Sequence, residues 1–292
     1  MVIINMRAIK RKKGNNEYFY LQHSFRKGGK IITKEKYLGK KIPKNVEDIK
    51  KVFLEECNKI SLFKLFEKIK NSFQKEWQRY PESMKEKVKE QIAIAFTYNT
   101  NAIEGSKITL EETRELIEHD IAPNKPLKDI KESESHTKIF LKILDKKEKF
   151  NSQLILNWHK ELFQNTKHDI AGMFRNYHAR VADYRAPDWQ DVGKLMNKFI
   201  GFYKDNEKMN VVELASRMHY KFEKIHPFGD GNGRIGRLIT NYVLWHNDYP
   251  MLIIEYKKRK SYYKALQKDE DGFFKYFARR YLKVHKKYLE KI

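Results

Sequence analysis

Apolar residues recur every two to four positions over residues 211–224, at Val212, Leu214, Met218 and Phe222, and again over 235–245, at Leu238, Ile239, Tyr242 and Val243. That spacing gathers apolar side chains on one face of a helix. Pro227, Gly229, Gly231 and Gly233 separate the two runs; they break the first helix and permit a tight turn. The pattern predicts helix, loop, helix, with the second helix starting near Gly233. Helical spacing also fills residues 42–90, through Val52, Phe53, Phe63, Leu65, Phe66, Ile69 and Phe73, with Pro43 and Pro81 as punctuation. Residues 91–104 read as another helix, with Ile92, Ala95, Phe96 and Ile103 apolar and Gly105 as its C-terminal cap. Thr109 and Glu112 have the spacing of a capping box for the helix after it.

The first 45 residues follow a different period. Phe19, Leu21 and Phe25 alternate with Tyr18, Tyr20, Gln22 and Ser24, and strands are predicted at 2–9, 17–25 and 31–38, with turns at 13–16 and 27–30. Three short strands are marginal alone, so this β-meander has to pack on something. No repeat or low-complexity linker interrupts the chain, which predicts one compact body. Three segments organise it: a basic β-module at 1–45, a helical connector at 46–90 and a mainly helical domain at 91–292.

Charge adds a question about partners. The 292 residues carry a net charge of +23, and the first 45 hold 13 basic against 2 acidic side chains. Such a module suits nucleic acid or an acidic partner. Lysine is abundant everywhere, however, and there is no zinc-ligand spacing, so the module is expected to dock a target protein or a second copy of the chain, a homodimer, in preference to nucleic acid. The single cysteine, Cys57, excludes an intrachain disulfide and suits a reducing compartment. The apolar run at the N-terminus is too short for a signal peptide, and no stretch is long enough to span a bilayer. The expectation is a soluble, cytoplasmic protein with no membrane partner.

The chemistry concentrates in residues 226–237, His-Pro-Phe-Gly-Asp-Gly-Asn-Gly-Arg-Ile-Gly-Arg. Backbone N–H groups at a helix N-terminus are unpaired and favour anions, and glycines at 231 and 233 let a phosphate approach closely. Arg234 and Arg237, three apart, project from the first turn, where guanidinium groups grip phosphate oxygens. Asp230 offers a hard oxygen to Mg²⁺. His226 titrates near neutrality and can accept a proton from a hydroxyl. Asn232 can hydrogen-bond a phosphate oxygen. Each residue alone has a structural reading as cap, turn or solvated charge; together, in a loop between two helices, they read as a nucleotide-handling site.

Every fixed position of this run matches the Fic family signature, H-x-F-x-[D/E]-G-N-G-R-x-x-R, which it resembles. The resemblance extends from about residue 91 to the C-terminus. It implies a mainly α, Fic-type helical fold with a β-hairpin flap, beside the small N-terminal β-meander. It implies a protein adenylyltransferase that transfers AMP from Mg-ATP to a Ser, Thr or Tyr hydroxyl of a target protein, releasing pyrophosphate. His226 would be the general base and Asp230 the Mg²⁺ ligand. Gly231, Asn232 and Gly233 would form the anion hole, with Arg234, Ile235, Gly236 and Arg237 completing the phosphate site. The glycine at 233, where a phosphorylating branch has lysine, favours attack at the α-phosphate; UTP and CDP-choline remain open as donors. Thr100-Asn-Ala-Ile-Glu104-Gly105 resembles the family's inhibitory motif, in which Glu104 would pair with Arg237 and block the productive ATP pose. The same glutamate serves AMP removal in some relatives, so de-AMPylation is an alternative activity of the same site. Residues 172–187 resemble the flap, with Val181, Ala182, Asp183 and Tyr184 against the nucleotide. Tyr262 and Tyr263 match a late helix beside the adenine, and core packing is an equal reading for Tyr263. Glu270 stands where some relatives carry an adenine-binding amide. The non-enzymatic alternative is a basic nucleic-acid-binding or scaffold protein with a vestigial core.

Overall fold

The computed structural model describes residues 3–27, 30–181 and 183–290. Val2, the glycines of the 27–30 turn and Ala182 lie outside them. Two compact units result, Met1–Glu67 and Lys68–Ile292. The division falls inside one continuous helix, α1 (Val46–Trp77), so no change of composition marks it.

The first unit holds an antiparallel sheet of β1 (Ile3–Lys13), β2 (Asn16–Lys27) and β3 (Lys30–Gly39) in sequential order. Gly14, at φ 61°, starts the two-residue turn that pairs Lys13 with Asn16. The period-two pattern of β2 sorts its faces as expected. Leu21 and His23 are buried, whereas Tyr18, Tyr20, Gln22 and Ser24 lie on the other face, partly exposed. Leu21 packs with Phe53 and Cys57 of α1, joined by Met6, Leu38, Val46 and Ile49. The first turns of α1 are thus what the meander packs on. Burial raises the Cys57 thiol above its usual range, leaving it a small apolar filler.

The second unit is helical. After α1 come α2 (Glu82–Ile103), α3 (Leu110–Glu118), α4 (Leu127–Asp145) and α5 (Ser152–Phe163). A small hairpin follows, of β4 (Arg180–Val181) and β5 (Tyr184–Arg185). Then come α6 (Val192–Asp205), α7 (Val211–Ile225), α8 (Asn232–Trp245), α9 (Arg259–Leu266), α10 (Glu270–Val284) and α11 (Lys287–Glu290). The centre is α8. Between Asn232 and Leu244 every residue except Gly233 is buried, as a helix surrounded by other helices requires. It packs on α7, α2, α4 and α5, and Ile235, Leu238, Ile239 and Val243 are fully enclosed.

Local signals end the helices where the site needs them. Gly105, at φ 98°, follows the C-cap Glu104 and turns the chain out of α2. The capping box of α3 forms: Thr109 Oγ1 accepts from the Glu112 N–H at 3.1 Å, and Glu112 Oε2 accepts from the Thr109 N–H at 2.8 Å. Asn210 caps α7 by accepting from the Val212 and Glu213 N–H groups. Among the described residues no helix is long and apolar enough to cross a membrane.

Candidate active site

His226 is the C-cap of α7 and adopts a left-handed conformation, φ 50° and ψ 59°. A side chain other than glycine rarely sits there, and such outliers concentrate at functional sites. Burial first, then the nearby Arg175 guanidinium, hold its imidazole below the ordinary histidine range, against the Glu223 carbonyl. The ring is therefore neutral at pH 7.

The loop from His226 to α8 is braced from inside. Asn232 Oδ1 accepts from the Phe228 N–H at 2.9 Å, and Asn232 Nδ2 donates to the Phe228 carbonyl at 2.8 Å. The residue is 2% exposed, and both ends of its amide hold the loop, a bracing role beside the phosphate contact expected from sequence. Gly231, at φ 78°, lies so close to Phe163 that a Cβ would meet its ring at 2.4 Å. The Gly231 N–H donates to Asp230 Oδ1 at 2.5 Å, the loop's own carboxylate standing at its anion-binding backbone. Lys167 Nζ donates to Asp230 Oδ2. Burial works to raise the Asp230 carboxyl, but the Lys167 hydrogen bond and the charges of Arg234 and Lys167 outweigh it and hold it below the usual range.

Both arginines of the run are held by glutamates from other helices. Arg237 Nη2 donates to Glu104 Oε1 at 2.6 Å and to the Thr100 carbonyl at 3.2 Å. Arg234 Nη1 donates to Glu132 of α4, whose other oxygen accepts from Thr166 at 3.1 Å. Glycine at 233 makes room for the first pair, because a Cβ there would lie 2.3 Å from Glu104 Oε1. Glu104, Glu132, Asp230 and Arg234 line one cavity of about 130 Å³, with Asn101, Ser106, Lys128 and Asp129. That volume is well below the roughly 300–1,000 Å³ usual for a bound small molecule.

Residues 149–244 match the model of the Fic/DOC family. The chain carries a Fic domain. Among curated proteins it is similar to a protein adenylyltransferase Fic of Nematostella vectensis, 33% identical over 189 residues, 62% of this chain and 44% of that protein. A protein adenylyltransferase Fic of Culex quinquefasciatus is 29% identical over 198 residues, 64% of this chain and 39% of that one. The chain thus spans less than half the length of these relatives. Solved structures show the fold: a Fic-1 fragment from C. elegans superposes with a TM-score of 0.70 at 20% identity, covering 85% of this chain and 76% of that one. A Fic domain-containing signalling protein from Bacteroides thetaiotaomicron gives 0.66 at 22% identity, covering 76% and 97%.

Several residues read from sequence as nucleotide contacts are packed into the interior of the second unit. Ile235 is fully buried, and its N–H donates to the Gly231 carbonyl at 3.0 Å. Gly236 lies where a Cβ would press on Glu223 and His219. Both serve helix packing and are not open to a phosphate. Tyr262 is 1% exposed, with its hydroxyl 2.7 Å from His219 Nε2, so it supports α7 from the core. Tyr263, read from sequence as equally suited to the core, is the half-exposed one; its hydroxyl donates to the Ile103 carbonyl at 3.0 Å. In the flap hairpin, Tyr184 donates to the Lys224 carbonyl at 2.8 Å, while Val181 and Asp183 are exposed. Glu270 holds Arg217 and Lys221.

Four residues that periodicity does not reveal complete the candidate site. Glu132 and Lys167 hold Arg234 and Asp230, as described. Arg175 donates to the His226 carbonyl at 2.8 Å, to the Tyr177 carbonyl at 2.7 Å and to the Pro187 carbonyl at 2.6 Å, tying the flap's base to the loop. His159 stacks on Phe228, centroids 3.8 Å apart. Its Nδ1 accepts from the Gly172 N–H at 2.9 Å, which leaves Nε2 to donate to the Asp230 carbonyl at 3.1 Å. Burial pushes this histidine down to about 4, so it stays neutral.

Proposed function

We propose that this chain is a self-inhibited protein adenylyltransferase. It would transfer AMP from ATP to a hydroxyl side chain of a target protein. The observation that carries this reading is the placement of a neutral, left-handed His226 on the loop that also presents Asp230 and leads into Arg234 and Arg237. The naming of the similar proteins supports it.

In the reaction, the target's hydroxyl oxygen attacks the α-phosphorus and forms a new phosphoester bond. The bond from that phosphorus to the bridging oxygen of the β-phosphate breaks, and pyrophosphate leaves. His226 takes the hydroxyl proton, a role its lowered pKa allows at pH 7. The N-terminus of α8 and Arg237 hold the phosphates and place the α-phosphorus in line. Mg²⁺ is commonly held by one or two carboxylates together with substrate phosphates. Asp230, which lines the cavity, fits that role; among the described residues no cluster of three metal-ligating side chains occurs, so phosphates would complete the shell. The ion would offset phosphate charge.

Inhibition is read from Glu104. While it holds Arg237, that guanidinium is closed to phosphate, and the acidic side chain stands in the wall of the cavity.

Labelling with ATP carrying the isotope at the α- or the γ-phosphate tests the reading on wild type, Glu104→Gly and Glu104→Gly/His226→Ala. Covalent α-label in Glu104→Gly, lost with His226, is expected. Covalent γ-label would make the chain a kinase. Loss of a pre-attached AMP would favour de-AMPylation, and no label from any nucleotide would return the choice to a binding protein.

A further inference from the structure

The β1–β3 sheet has one face that α1 does not cover. The register sets Arg7 opposite Gln22 and Gln22 opposite Glu35, and their side chains form one polar ladder across all three strands. Arg7 donates to Gln22 at 3.0 Å, Gln22 to Glu35 at 2.9 Å, and Arg11 to Glu35 at 2.6 Å. Further along, the Ser24 and Thr33 hydroxyls lie 2.9 Å apart. A sheet face of hydrogen-bonding groups held at fixed positions and left in solvent differs from a scatter of mobile lysines.

The charge around it is one-sided. Residues 1–45 hold 13 of the chain's basic side chains and only Glu17 and Glu35 as acids. Both acids are already paired, Glu17 with Lys10 at 2.6 Å and Glu35 with Arg11. The surface is complementary to a polyanion.

We infer that this face is a duplex-DNA-binding surface that enters the major groove, independent of the transfer reaction proposed above. Strands lie about 4.8 Å apart, so the backbones of three span about 10 Å; the major groove is about 12 Å wide and admits a two-stranded ribbon, and strands of a sheet are used to read grooves. Arginine and glutamine can read guanine and adenine edges there. At the end of β1, Lys13 stands opposite Asn16 on the same face, toward a phosphate backbone that bounds the groove. RNA fits less well. A-form major grooves are too narrow, and single strands need free aromatic faces. Here Arg11 covers Tyr20 at 5.5 Å and Tyr37 packs on it at 5.3 Å, which leaves Tyr37, 55% exposed, where a single strand needs a run of stacking rings.

Fluorescence anisotropy with the full chain tests this, using a labelled DNA duplex of about two helical turns, its single strand and the matching RNA duplex over a potassium chloride series. Wild type is expected to bind the DNA duplex best, with affinity falling steeply as salt rises. Arg7→Ala/Arg11→Ala should weaken binding at least about tenfold and flatten the salt dependence, with the sheet intact by circular dichroism. Lys194→Ala/Lys198→Ala, which removes two exposed charges from α6, should change it less than about twofold. Glu35→Gln should bind as well or better. Equal losses in the two double variants would reduce the effect to diffuse charge and overturn the assignment. So would preference for RNA or single strand, or no binding at low salt.

Discussion

Glu104 and Arg237, 133 residues apart in sequence, meet at 2.6 Å in the interior of the second unit. Arg237 is almost wholly buried, and Glu104 keeps about a quarter of its side chain exposed toward the cavity. The glutamate is thus the more accessible member of the pair. An incoming phosphate would have to replace a charge-assisted bond made inside a low-dielectric site, where such bonds are strong.

Replacing Glu104 by glycine is therefore expected to tighten binding of Mg-ATP at least about tenfold, or ~1.4 kcal/mol. Isothermal titration calorimetry on the two proteins measures this directly. An unchanged dissociation constant would mean that the ion pair does not compete with nucleotide. The same variant should also melt earlier, since Arg237 loses its closest counter-charge.

The pair of Arg234 with Glu132 should behave differently. The side chains are 5–7% exposed, and Glu132 is further fixed by Thr166. Breaking a buried pair from one side leaves an uncompensated charge and typically costs about 3–5 kcal/mol. Glu132→Gln should lower the melting temperature by roughly 6–20 °C, given about 2–4 °C per kcal/mol in a unit of this size. Glu132→Met/Arg234→Met removes both charges and should fall less. Equal melting of wild type and Glu132→Gln would show that the pair does not stabilise the fold.

These two ion pairs also show what a linear reading can and cannot extract. The loop was legible because its base, carboxylate, glycines and arginines are consecutive, and two amphipathic runs bracket it. Glu104 was legible because a helix end with a glycine after it can be read locally. Glu132 meets Arg234 across 102 residues and Arg175 meets the His226 carbonyl across 51, and no spacing encodes such meetings. Periodicity says that a helix face is buried; it does not say which buried polar groups find each other. Nor does it tell Tyr262 from Tyr263, since adjacent tyrosines on a helix differ in exposure only through what packs on them. The strands run longer than predicted because the backbone register continues to Lys13 opposite Asn16, into residues that look like turn.

Asn232 gives a test that separates bracing from ligand contact. Its amide satisfies the N–H and carbonyl of Phe228, which is itself fully buried. Asn232→Ala leaves both groups without that partner, at about 1–3 kcal/mol each. A loss of about 2–6 kcal/mol in urea unfolding is expected. Stability unchanged alongside a sharply weaker nucleotide affinity would restore the phosphate contact inferred from sequence.

Glu223, on α7, predicts a pH dependence whose sign can be worked out. Burial pushes its carboxyl up to about 7; Arg237 opposes this and Glu104 reinforces it. Its Oε1 has no hydrogen-bond partner among the described residues. The ordinary value is 4.5, so between about 4.5 and 7 the folded chain keeps a proton that the unfolded chain has released. Folding therefore binds protons in that window, and this group's contribution is full below about 4.5 and lost as pH rises through 7. Glu223→Gln carries a permanently neutral amide and escapes that loss. Its stability relative to wild type should rise between pH 5 and pH 8 by up to ~3 kcal/mol, since each tenfold difference in proton affinity between folded and unfolded chain is worth about 1.4 kcal/mol. Urea unfolding of both proteins at the two pH values measures the difference. A gap that stays constant would mean that Glu223 is ionised in the folded state throughout, paired with Arg237 beside Glu104.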